Sequence, residues 1–114
     1  MESILTSIKK LLGITEEYKH FDSDIIMHIN SALMDLRQIG VGPYDGFTIE
    51  DDTSTWTDFI GDSMKLEGVK TYVYLSVKLV FDPPLSSSVI ETINRRISEL
   101  TWRLSVEADG SQTE

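Results

Sequence analysis

The 114-residue sequence predicts an all-α fold, a small helical bundle of about four main helices with one acidic loop carrying a short extra helix. Three observations predict it. Apolar residues recur at steps of three and four in several separate stretches, the spacing that gathers side chains on one helix face. Residues that start and stop helices bound those stretches. The one stretch that alternates like a strand has no second strand to pair with, and an unpaired strand leaves a row of backbone donors and acceptors unsatisfied.

Ser3 to Leu12 predicts a short amphipathic helix with Ile4, Leu5, Ile8, Leu11 and Leu12 inward and Gly13 as its stop. Two to three turns do not hold alone in water, so this face must dock on another helix or on a neighbouring subunit. Thr15 to His20 is a connector. Asp22 to Gly40 is the clearest helix, with Ile25, Ile26, Ile29, Leu33, Leu36 and Ile39 on one face, and is expected to be the post for its neighbours. Asp22 is placed to cap its first-turn amides, and Phe21 to staple onto Ile26. Gly40 and Val41 fit a Schellman stop, with Val41 reaching back toward Leu36.

The segment Val41-Gly42-Pro43-Tyr44-Asp45-Gly46 is punctuated as a turn-rich loop. Thr53-Ser54-Thr55 then offers caps for a brief helix carrying Trp56, Phe59 and Ile60. Aromatic residues in a small domain are more often core, but Trp56 and Phe59 are also candidates for a partner-binding knob. Val69 to Phe81 alternates in the manner of a strand and is rich in β-branched and aromatic residues. As a helix it shows one narrow polar stripe of Thr71, Tyr74 and Lys78, the profile of a helix enclosed by its neighbours, and helix is the expectation. Asp82-Pro83-Pro84 ends it. In the last helix, Ser88 and Glu91 are spaced as a capping box, and Ile90, Ile93, Ile97, Leu100 and Leu104 form a heptad-like seam.

The expected organisation is a single domain over residues 1–107 followed by a disordered acidic tail over 108–114. No apolar run reaches the length of a membrane span, and the first residues lack the order of a secretory signal, so a cytoplasmic product is expected. The absence of cysteine excludes disulfides, thiolate catalysis and cysteine-bound zinc. The net charge of -9 is concentrated between Tyr44 and Ser63, where Asp45, Glu50, Asp51, Asp52, Asp58 and Asp62 meet no Lys or Arg. A basic nucleic-acid footprint is missing. The most basic part of the chain is the last helix, where Arg95, Arg96 and Arg103 are candidates for a subunit contact with acidic patches, or else the solvated partners of Glu91 and Glu99.

Catalytic constellations are scarce. Asp24 and His28 are spaced as two metal ligands could be, but no third ligand is indicated, and Asp24 also suits a helix N-terminus electrostatically. Glu50-Asp51-Asp52 lacks the order of a calcium loop, and neither a phosphate-cradling glycine loop nor a nucleophile elbow is present. No cofactor and no enzymatic role are expected.

The order of an N-terminal helix, a long helix containing Ile29-Asn30, then Trp56-Thr57-Asp58-Phe59, Phe81-Asp82-Pro83-Pro84 and a closing Trp102-Arg103-Leu104 resembles the head-tail connector proteins of tailed bacteriophages. The resemblance covers nearly the whole chain. It implies a small helical, non-catalytic adaptor or head-completion protein of the virion, made in the host cytoplasm. Such proteins assemble as a homo-oligomeric ring, about twelve-fold, beneath the capsid portal protein, extend the DNA channel and carry the next connector or tail component. DNA then passes without specific binding, and Glu50, Asp51 and Asp52 are candidates for a lumen-facing or partner-facing acidic surface. The alternative from composition is a small acidic regulatory protein, a DNA mimic or antitoxin-like binder, which should act as a monomer or dimer.

Overall fold

The computed structural model describes residues 2–61 and 66–112, with side chains described through residue 108. Among the described residues five helices follow in order: α1 (Ile4–Leu12), α2 (Asp22–Gln38), α3 (Trp56–Ile60), α4 (Leu66–Phe81) and α5 (Ser87–Gln112). The all-α expectation holds, and the strand-like segment is helical.

The ends of α1 follow from local chemistry. Ser3 Oγ accepts from Thr6 N at 3.0 Å, satisfying one of the orphan first-turn donors. Gly13 takes φ 82°, and the amides of Gly13 and Ile14 donate to Lys10 O and Lys9 O. Ile4, Leu5 and Ile8 are buried as expected, but Leu11 is exposed and Lys9 is buried in its stead. The Lys9 ammonium meets Asp22 Oδ1 at 2.8 Å and donates to the carbonyls of Tyr18 at 2.7 Å and Glu16 at 3.1 Å. An ammonium can leave water only when its charge and its donors are matched in this way.

That ion pair also corrects the expected start of α2. Phe21 is the cap residue and makes no side-chain cap bond; Asp22 sits in the first turn, drawn to Lys9. The Phe21 ring lies edge-on to Phe81, with centroids 5.4 Å apart. The other end is the expected Schellman motif: Gly40 N donates to Arg37 O and Val41 N to Leu36 O at 2.9 Å.

The chain from Gly40 to Thr55 is tied back to the helices by hydrogen bonds. Asn30 clamps Ile49, its Oδ1 accepting from Ile49 N at 2.8 Å and its Nδ2 donating to Ile49 O at 3.0 Å. Further on, Ile4 N donates to Ser54 O at 2.9 Å beside an isolated antiparallel bridge between Ser3 and Thr55. Thr55 and Asp58 then form a reciprocal capping box on α3.

The centre of the bundle is α4, not α2 as the sequence suggested. It packs on α1, α2 and α5, and of its sixteen residues Glu67 and Val80 are the two that are exposed. Its all-round apolar composition is what a helix with neighbours on several sides requires. Gly68 faces α5, where a Cβ would stand 3.5 Å from a Leu104 methyl, an ordinary contact.

At the start of α5 the capping bonds come from Ser86, whose Oγ lies 3.4 Å from Val89 N and whose carbonyl accepts from Ile90 N. The expected Ser88–Glu91 box is set two residues too late. The seam is deep in its second half only: Leu100 and Leu104 are buried, whereas Ile90 and Ile93 are half-buried. Ala108, four residues beyond Leu104, continues the buried row, and the helix runs to Gln112, past the boundary expected at residue 107. Thr113 and Glu114, the end of the expected tail, lie outside the described residues.

Candidate assembly surfaces

On α5 the buried row of Leu100, Leu104 and Ala108 fixes which residues look outward. At 100° per residue, Arg95, Trp102 and Val106 fall on the strip facing away from that row. Trp102 is 70% exposed and Val106 49%, beside an exposed Arg95. Arg103 is exposed on the flank, next to a small cleft that includes Glu67 and Thr71. Arg96 is half-buried and pairs with Glu99 across one helical turn at 3.8 Å. A tryptophan and an arginine side by side on an exposed helix are the residue types enriched where protein surfaces bind each other.

The aromatic pair singled out from the sequence lies elsewhere. Trp56 and Phe59 are each 3% exposed and belong to the core of this chain. Trp56 Nε1 donates to Ser7 Oγ, and Phe59 packs on Phe47 and closes over Gly42. The exposed tryptophan is Trp102, and its position opposite the 97–100–104 seam is the signal that could have found it.

A second surface was not anticipated. The outer side of α2 and the loop at residues 45–48 enclose a groove of about 910 Å³ with Ile26, Met27, Met34 and Phe47 among its apolar walls. Met27 and Met34, seven residues apart and so on one face, are 57% and 58% exposed. They sit opposite the buried row of Ile25, Ile29, Leu33 and Leu36. Arg37 reaches across and donates through Nε to Tyr44 O at 2.9 Å, fixing the loop. Asp45 also lines the groove.

The acidic run forms the third surface. Glu50, Asp51 and Asp52 are all exposed between the anchors at Ile49 and Ser54. Asp51 Oδ1 accepts from the Thr53 hydroxyl and amide, which holds its carboxyl below the usual range. Asp62, at the end of the acidic stretch, lies outside the described residues. His28 is half-buried and Asp24 exposed on α2, and among the described residues no group of three or more His, Asp or Glu could hold a metal. No helix among them is long and apolar enough to cross a membrane.

These features define a small all-α protein whose distinguishing parts are exposed, chemically unlike surfaces. Residues 4–111 match the family model described as phage connector protein, so the chain belongs to that family. No curated protein and no solved structure matches it.

Proposed function

We propose that the chain is a structural head-tail connector that assembles as a homo-oligomeric ring beneath the capsid portal. The ring extends the DNA channel and carries the next connector or tail-completion component, so the protein resides at the head-tail interface of the virion. Its copy number by family resemblance is about twelve. Supporting this reading is the family membership over residues 4–111, joined to one observation: α5 turns Trp102, Val106 and Arg95 to solvent on the side away from its core. A tryptophan that the fold does not bury has most to gain from a partner.

Within such a ring, Glu50, Asp51 and Asp52 line the lumen or face a basic partner. In the lumen their charge would keep passing DNA from adhering to the wall. Electron microscopy of the purified protein, alone and mixed with portal rings, tests the proposal. Closed rings, free or seated on portal, are expected, with the acidic residues locatable in the averaged density. A protein that stays monomeric or dimeric in both conditions would falsify it.

A further inference from the structure

We infer that Met27 and Met34 form a paired oxidation site on α2, at which a peroxide converts both thioethers to sulfoxides, turns the groove wall polar and leaves the fold intact. Nothing in this depends on ring formation.

Access comes first. Methionine is usually a buried residue, yet Met27 is 57% and Met34 58% exposed. They stand two turns apart, so both sulfurs are carried on the same side of α2, toward the groove that Ile26 and Phe47 also wall. Thioether oxidation needs no activated residue, only contact between sulfur and oxidant. A sulfur lone pair attacks one oxygen of hydrogen peroxide and the O–O bond breaks. The attacked oxygen stays on sulfur, and the other takes over its proton and leaves as water. Sulfur is oxidised by two electrons, and the peroxide is reduced by two.

Position then decides what the modification does. In a core, a sulfoxide breaks packing, because a polar S=O group stands where an apolar link was. The core side of α2 is the opposite row, Ile25, Ile29, Leu33 and Leu36, and neither methionine belongs to it. The outer side also supplies partners. Ser23 and Ser31 lie one turn to either side of Met27, Ser31 and Gln38 do the same for Met34, and all of them line the groove. Each sulfoxide oxygen therefore has donors on its own face of the helix. What changes is the groove, whose apolar lining loses two members. Sulfoxide reductases act on each epimer, so an exposed pair can be returned to the thioether.

The intact chain, with its four methionines, is the sample. Folded and urea-unfolded portions are treated with hydrogen peroxide, and tandem mass spectrometry of the digested chain follows each methionine separately. Met1 and Met64, which lie outside the described residues, are thereby told apart from the pair. In the folded protein both Met27 and Met34 should oxidise at about half the unfolded rate, in keeping with their exposure. Rates an order of magnitude below the unfolded ones would overturn the inference. The doubly oxidised chain should keep its helical circular dichroism, elute earlier from a hydrophobic-interaction column, and return to its first position after treatment with the two reductases. Loss of the helical signal as these two positions oxidise would mean damage to the core and overturn it as well. Met27→Leu/Met34→Leu keeps an apolar groove and cannot be oxidised there, so peroxide should move its elution little. A full shift in that variant would assign the change to Met1 and Met64 and sink the proposal.

Discussion

The indole nitrogen of Trp56 donates to the hydroxyl of Ser7 at 2.8 Å, joining α3 to α1 across 49 positions of sequence. Both groups are buried, and Ser7 Oγ in turn donates to Ile4 O at 3.0 Å. Ser7→Ala strands the indole N–H and should cost about 1–3 kcal/mol. Trp56→Phe loses the same bond together with some packing and should cost at least as much. Urea unfolding of the two variants checks this; midpoints equal to the parent's would show the bond to be unimportant.

Lys9 and Lys10 are adjacent and should behave oppositely. The Lys9 side chain is 3% exposed, and Asp22 Oδ1, which it pairs with, has no other hydrogen-bond partner among the described residues. Lys9→Ala therefore leaves a carboxylate oxygen and two carbonyls without their cation and should cost about 3–5 kcal/mol. Lys10 is 63% exposed and pairs with Glu2 at the surface, so its replacement by alanine should leave the urea midpoint almost unmoved. Similar losses at the two positions would contradict the burial argument.

Replacing Arg95, Arg96 and Arg103 with glutamate tests the role of α5 in assembly. Arg95 and Arg103 are exposed, and the Arg96–Glu99 pair is a surface one, so the variant should keep its helical circular dichroism and melt within a few degrees of the parent. Rings and infectious particles should be lost, because acid would then meet acid across the contact. Leu100→Ala is the contrasting control: that side chain is buried, and its loss should cost about 2–5 kcal/mol and threaten the fold itself. Normal particle yield from the triple reversal would take these arginines out of the interface.

Tyr72 should govern alkaline stability. Burial pushes its phenol above the ordinary 10.0, and the nearby Asp35 carboxylate adds to the rise. The folded state therefore holds this proton more tightly than the unfolded chain does. Its contribution is complete below the unfolded value and is lost as pH rises through the raised one. Urea midpoints should fall as pH rises past the ordinary 10.0, and fall less steeply in Tyr72→Phe, which has nothing to ionise. Parallel declines in the two proteins would assign the loss to other groups.

What the sequence made legible was local. Ser3, Gly13 and the Gly40–Val41 pair act within a few residues of themselves, so their roles could be read from spacing. Asp22 could not, because its partner Lys9 comes from another helix and overrides the cap. The two tryptophans show the same limit at the candidate site. Trp56 and Trp102 both stand in helices beside charged neighbours, and only the placement of α1 over the first separates core from surface. The groove on α2 required the 45–48 loop to fold back beside Met27 and Met34, a long-range event held by Asn30 and Arg37.

The enclosed position of α4 bears on truncation. Its valine- and tyrosine-rich run has the composition of a strand, and it is kept helical by neighbours on several sides, one of which is α5. A chain cut just after Pro84 keeps α4 but lacks Leu100, Leu104 and Ala108, which leaves one side of the run bare, and copies could pair there as strands. Such a fragment should collect in the insoluble fraction.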